Sequence, residues 1–312
     1  MSELRKRTNL KALLVTQESY QRVKEQSFLV PNTLPSASIG VLYGKAGSGK
    51  TTYVLHLCGQ ILQSCENIRV YFIDADMGID MQKKYGLDKI QKKYSTNLQI
   101  FDISTDCAGY QVILEHIINE QKKNEKPTFV VVDCLNKVAK KKRGFIDRDE
   151  LYKTERIIRK NGGAVLFLHH TNKNKIFADT QQIEDFADYT AKCENDTAQK
   201  IISINYEKIS RYADELHSKC YKYDGLKIVD EVPPLQARLS ESELALINSV
   251  KEQLKVGRTN QSDLLEVLRK DTKVKLGQNK KRELLKKFAD EGLWNLEQVP
   301  NENNAIYYFK KE

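Results

Sequence analysis

Residues 41–57, VLYGKAGSGKTTYVLHL, restrict the fold of this chain more than any other stretch. An apolar run breaks into a glycine-rich turn and then into helical spacing. Gly44, Lys45, Ala46, Gly47, Ser48, Gly49, Lys50 and Thr51 match G-x-x-x-x-G-K-[ST], with Thr52 following. Glycines let backbone N–H groups converge on phosphate oxygens, and the positive end of the next helix points at the same place. Lys50 then neutralises the β- and γ-phosphates, and the Thr51 hydroxyl takes a Mg²⁺ position. The strand-like SIGVLYG before the motif and the helix-like TTYVLHLCGQIL after it supply the context that a chance glycine-rich turn lacks. The expectation is a nucleoside triphosphate site using ATP and Mg²⁺.

The rest of the composition sets bounds. At 312 residues the length suggests about two domains. A net charge of +9 and a pI near 9.0 suit an anionic partner without demanding one. Cys58, Cys65, Cys107, Cys134, Cys193 and Cys220 show no C-x-x-C spacing, which predicts reduced thiols in a cytoplasmic protein. The N-terminal MSELRKRTNLK is charged, and no apolar run approaches the roughly 18 residues of a membrane span. No membrane partner is expected.

Along the chain, 1–35 reads as an N-terminal arm, with a short amphipathic helix from Gln17 to Gln26 ended by Pro31 and Pro35. From 36 to 230, strand-like IGVLYG, RVYFID, LQIFDI, TFVVVD and AVLFLHH alternate with helical stretches near 51–63, 79–93, 109–122 and 147–161. That alternation predicts an α/β fold, a parallel sheet with helices on both faces. KIISINYEKI and LKIVDEV follow without a helix between them and predict an antiparallel edge extension. Residues 231–240 form a linker stiffened by Pro233 and Pro234, and Ser240 with Glu243 is a capping box. Residues 241–312 read as helices 241–256, 260–270 and 278–291 and then two short strands, the pattern of a small winged-helix domain.

The acids decide which phosphate machine this is. TFVVVD ends in Asp133, placed to hold Mg²⁺. The next residue is Cys134, where many P-loop ATPases carry a glutamate, so the base is sought elsewhere. RVYFIDADMGIDMQKKYGLD, TFVVVDCLNK and GGAVLFLHHTNKNK together resemble the RecA family over about 36–230. The double histidine with the following Thr and Lys is similar to the plasmid RepA group of hexameric replicative helicases, relatives of DnaB, as is TQQIEDFADYTAKCEND.

The resemblance implies a homo-oligomer, a hexameric ring, acting on single-stranded DNA. Asp76 occupies the place of the family's catalytic glutamate, one bond shorter, with a helix-capping role as the alternative; Asp74 is read as structural or Mg²⁺-supporting. His169 takes the place of the γ-phosphate sensor, ahead of His170, or is a satisfied core group. Lys208 and Arg211 in YEKISRY fall where such rings present cationic fingers to a neighbouring subunit; a solvated strand end is the alternative. Lys140, Lys141, Lys142 and Arg143 lie on the pore-facing loop, and Lys173 and Lys175 on a second basic loop; either run can track a phosphate backbone or remain a solvated face.

Arg269 to Lys287 holds nine Lys/Arg against two acids. Lys280, Lys281 and Arg282 open a helix that resembles the recognition helix of a winged helix on duplex DNA, against the alternative of protein docking. The sum is a Mg²⁺-dependent ATPase, a ring-forming helicase or translocase of a plasmid or phage. The rivals are an ATP-switched DNA-binding regulator of RecA/KaiC type and a small-metabolite kinase, the latter disfavoured by the winged helix and the lack of an arginine-rich lid.

Overall fold

Runs of Val, Ile and Phe fill the centre of the first unit, Met1–Glu231. The computed structural model describes residues 14–17, 27–106, 109–124, 126–139, 141–142, 145–146, 148–171, 186–209, 215–237, 239–302 and 304–311. A small antiparallel pair, β1 (Phe28–Val30) and β2 (Leu34–Pro35), comes first. Then follow β3 (Ile39–Gly44), α1 (Lys50–Ser64), β4 (Arg69–Asp74), α2 (Ile79–Lys84), α3 (Leu87–Lys93) and β5 (Leu98–Asp102). Next are α4 (Tyr110–Asn124), β6 (Thr128–Asp133), α5 (Leu135–Val138), β7 (Lys141–Lys142), β8 (Phe145–Ile146), α6 (Arg148–Lys160) and β9 (Ala164–His170). The last strands are β10 (Tyr189–Asp196), β11 (Ile201–Ile209), β12 (Lys219–Asp224) and β13 (Lys227–Val232).

Nine of these strands form one sheet in the order β13-β12-β11-β10-β3-β9-β6-β4-β5. From β10 to β5 every pair is parallel, while β11 and β12 continue antiparallel beyond β10. Side chains alternate across a strand, so a strand covered on both faces is apolar throughout. Val70, Phe72, Phe129, Val131, Leu166 and Leu168 pack with α1 on one face. Tyr71, Ile73, Val130, Val132, Val165 and Phe167 pack with α4 on the other.

The second unit, Val232–Glu312, contains α7 (Pro234–Ala237), α8 (Glu241–Val256), β14 (Thr259–Asn260), α9 (Gln261–Lys270), α10 (Gln278–Asp290), β15 (Asn295–Val299) and β16 (Ala305–Phe309). Its antiparallel sheet has the order β14-β16-β15. Ser240 caps α8 through both bonds of the capping box. Leu246, Val250, Leu264, Leu284 and Phe288 form a core closed by Trp294, whose indole N–H donates to the Leu285 carbonyl at 3.0 Å.

Three local expectations change, and a fourth is not tested. The helix foreseen over 79–93 breaks into α2 and α3 because Gly86 adopts a left-handed φ of 77° between them. β10 and β12 are strands that periodicity did not suggest. The linker holds a one-turn helix, with Pro234 at its first position where a missing N–H costs nothing. The helix expected from Gln17 to Gln26 lies outside the described residues after its first residue. Among the described residues no helix is long and apolar enough to cross a membrane.

One buried acid ties α4 to α6. Glu155 is fully buried, and the Tyr110 hydroxyl donates to its Oε1 at 2.8 Å while Oε2 has no hydrogen-bond partner among the described residues. Burial pushes the carboxyl up from 4.5 to about 7, only partly offset by the Tyr110 bond. Between those two values the folded chain keeps a proton that the unfolded chain releases, so stability falls as pH rises through that window. The shift corresponds to about 3 kcal/mol. Glu155→Gln should flatten the dependence of unfolding free energy on pH between 4.5 and about 7, read by denaturant titration.

Candidate active site

The phosphate loop runs from the end of β3 into α1. Gly47 and Gly49 take left-handed φ values of 76° and 91°, and a Cβ on Gly49 would collide with Ile202 of β11. β10 braces the loop from beside β3: the Cys193 thiol donates to the Ser48 carbonyl at 3.0 Å, and Asn195 Nδ2 to the Gly47 carbonyl at 3.2 Å. Thr52 is buried one residue into the helix behind Thr51.

Lys50 is 4% exposed. Its ammonium donates to the Gly44 and Lys45 carbonyls at 3.0 and 2.9 Å and lies 3.3 Å from His170 Nδ1. Burial lowers its pKa, against which Asp133 and Asp76 act to keep the charge. The loop carbonyls therefore hold in place a cation that a phosphate can take over.

The Thr51 hydroxyl donates to Asp133 Oδ2 at 3.0 Å. Burial raises the Asp133 pKa to about 6, while the Thr51 bond pulls it down. Two hard oxygen donors, side by side and mostly desolvated, fit Mg²⁺, which takes oxygen ligands and keeps several waters. A nearby divalent charge would hold Asp133 ionised.

Asp74 pairs with Asp133 across β4 and β6. It is fully buried, and its carboxylate accepts from the Asp76 and Met77 N–H groups at 2.9 and 2.8 Å, the Gly78 N–H at 3.0 Å and Gln82 Nε2 at 2.7 Å. With four donors it is saturated, so it shapes the turn that presents Asp76 rather than holding an ion. The Asp76 side chain is 35% exposed; Oδ2 lies 3.5 Å from His170 Nε2, and Oδ1 lies 3.9 Å from Lys137 Nζ.

The two histidines fall on opposite faces of β9, and His169 takes the core position that was its alternative. His169 shares its side of β9 with Val165 and Phe167 and is fully buried, whereas His170 shares the α1 side with Leu166 and Leu168. His170, not His169, stands between Lys50 and Asp76. Its pKa is lowered by burial and by Lys50, partly countered by Asp76. Strand parity counted from the α1 face carries this signal in the sequence.

The other expected residues fall out as follows. Lys208 pairs with Thr190, and its ammonium reaches the Ala187 carbonyl at 3.5 Å. Lys141 and Lys142 form β7, paired with β8. Lys140, Arg143, Lys173, Lys175 and Arg211 lie outside the described residues. In the second unit Lys280 is exposed and ion-paired with Glu283 at 2.7 Å, and Arg282 is exposed. Lys281 is a correction: it is 6% exposed, and its ammonium donates to the Leu268 carbonyl in the last turn of α9 at 2.9 Å. Its charge is engaged at the end of that helix.

Two clefts flank the loop. One of about 300 Å³ is lined by Gly44–Ser48, Thr171 and Lys192–Asn195. The other, of about 660 Å³, opens beside Thr52 and Tyr85 and carries Lys83, Lys84, Lys89, Lys93 and Lys227. The lysines of this second cleft were not singled out in the sequence, because they come from separate elements.

A glycine-rich loop at a strand end, a buried lysine in its first helical turn and a Thr–Asp oxygen pair define a P-loop ATPase built on a largely parallel sheet. Residues 4–175, more than half of the chain, match the AAA_25 family, an AAA domain, and the chain belongs to that family. No curated protein matches. Among solved structures, the flagellar accessory protein FlaH from Methanocaldococcus jannaschii is 13% identical with a TM-score of 0.47, covering 64% of this chain and 91% of that one. The ATPase domain of G40P is 14% identical with a TM-score of 0.48, covering 64% and 86%. The KaiC-like protein PH0186 from Pyrococcus horikoshii OT3 is 15% identical with a TM-score of 0.47, covering 64% and 91%.

The two neighbouring acids should separate in stability measurements. Asp74→Asn leaves at least one buried N–H facing an amide donor and should cost roughly 1–3 kcal/mol. Asp76→Asn, at a part-exposed site, should change the unfolding free energy by less than about 0.5 kcal/mol. Denaturant midpoints of both variants check this.

Proposed function

We propose that the protein is a Mg²⁺-dependent ATPase acting on nucleic acid, a ring-forming helicase or translocase of the RepA/DnaB kind. The observation that carries the reading is Asp76. It is a part-exposed carboxylate at the mouth of the phosphate site, while Asp74 is saturated by four donors and Asp133 is committed to Thr51.

In this mechanism Lys50 leaves the Gly44 and Lys45 carbonyls for the β- and γ-phosphates, and the loop amides hold the remaining oxygens. Thr51 and Asp133 would hold Mg²⁺, which would supply charge neutralisation at the phosphates. Asp76 orients a water in line with the γ-phosphorus and accepts its proton at Oδ2. His170 links that carboxylate to Lys50 and so to the occupancy of the phosphate site. Lys208 or Arg211 acts on a neighbouring subunit's γ-phosphate, and 136–145 with 171–175 face single-stranded DNA in the ring. In the second unit, α8, α9 and α10 with the three-stranded sheet support a winged helix whose α10 meets duplex DNA through Lys280 and Arg282.

A second reading, an ATP-switched DNA-binding regulator, is favoured by one detail. Asp76 is 3.5 Å from His170 and 3.9 Å from Lys137, contacts that compete with water and suit slow turnover. Single-stranded DNA decides between them: a translocase is strongly stimulated, and a switch is not.

Asp76→Asn should lower turnover about 10²- to 10⁴-fold with nucleotide affinity near that of the wild type, measured by phosphate release and titration. Lys280→Ala with Arg282→Ala should weaken duplex binding and reduce its log–log salt slope by roughly one unit per lost phosphate contact. Unchanged salt dependence would assign α10 to protein docking.

A further inference from the structure

Cys134 follows Asp133 at the end of β6, and nothing in the ATPase mechanism uses it. Its Sγ, an Asp76 carboxylate oxygen and a His170 ring nitrogen all lie within 4.8 Å of one another. The fold brings a thiol and an acid from the ends of β4 and β6 to His170. Three protein donors of mixed S, N and O character with one open position form the arrangement of a reactive zinc centre, whereas Mg²⁺ takes oxygen alone.

The geometry is close to what zinc requires. At ordinary zinc–ligand lengths the edges of a tetrahedron are roughly 3.3–3.6 Å. Asp76 Oδ2 and His170 Nε2 are already 3.5 Å apart, so the ligand atoms close by on the order of 1 Å at most. Both of these side chains are 35% exposed, which gives an ion its entry, and Cys134 is buried behind them. Oδ1 of Asp76 keeps its approach to Lys137.

We propose that Asp76, Cys134 and His170 form a zinc-binding site at the edge of the phosphate site, and that zinc there brakes ATP hydrolysis. Binding Zn²⁺ displaces the Cys134 thiol proton to solvent, while Asp76 and His170 donate lone pairs; no electrons change hands. Coordination at Nε2 leaves the imidazole proton on Nδ1, so Lys50 gives up its contact there and keeps the two loop carbonyls. The filled site occupies the Oδ2 that would accept the water proton. Metal binding stands on the three side chains alone; the brake rests on the assignment of Asp76 given above.

Cobalt(II), the spectroscopically visible substitute, tests the binding in the nucleotide-free full chain. The expected result is one equivalent of cobalt with tetrahedral d–d bands and a thiolate-to-cobalt charge-transfer band, all displaced by Zn²⁺. Cys134→Ser should abolish the charge-transfer band. His170→Gln, at a part-exposed position that leaves the thiol in place, should weaken cobalt affinity by more than about tenfold and covers the case of a misfolded serine variant. Added Zn²⁺ should slow wild-type hydrolysis and leave Cys134→Ser unaffected. A missing thiolate band in the wild type, or one that persists in Cys134→Ser, overturns the site. Cobalt binding as expected with undiminished hydrolysis in zinc overturns the brake and indicts the role of Asp76, not the site.

Discussion

The parallel register of β3, β9, β6 and β4 holds the site together, because it brings every functional strand end to one edge of the sheet. His170 lies opposite Gly44, and Asp133 opposite Asp74. Ligands of open α/β sheets gather at the carboxyl ends of strands for this reason. A slip of one residue would turn each side chain to the other face. It would put His169 in place of His170 and Cys134 in place of Asp133, and the oxygen pair with Thr51 would vanish. Burial of Phe72, Val131, Leu168 and their neighbours fixes the register, so the hydrophobic core dictates the geometry of the phosphate site.

Charge at that edge is distributed so that only one acid remains available. Three aspartates crowd the ends of β4 and β6, and each meets a different fate. Asp74 is saturated by backbone and amide donors, Asp133 is hydrogen-bonded to Thr51 and raised to about 6 by burial, and Asp76 stays part-exposed beside His170. Lys50 compensates this acidity from inside the loop, held by two carbonyls until phosphate oxygens replace them. Groups whose surroundings push them apart in this way divide the labour of a site.

Much of this was legible in the sequence, and the exceptions have physical causes. The loop and its helix were plain because glycine spacing and strand–helix context are local, and Asp133 because it ends a wholly apolar run. β10 was missed because YTAKCEND buries only part of its residues between two neighbours and has no apolar run. His170 was passed over for His169 because a doublet at a strand end needs a face assigned before either can be chosen. Lys281 looked like a contact for nucleic acid, since only packing reveals that its ammonium caps α9. The Asp76–Cys134–His170 cluster joins segments far apart in the chain, so no spacing could announce it.

The claim underlying the whole account is that the loop, with Lys50, holds a triphosphate for hydrolysis. Release of phosphate from ATP by the wild type and by Lys50→Ala, each with Mg²⁺ and with a chelator, measures it directly. The account predicts Mg²⁺-dependent release by the wild type and none above background in Lys50→Ala or in chelator, because the buried phosphate charge loses its partner. Wild-type release from a correctly folded Lys50→Ala protein would contradict it.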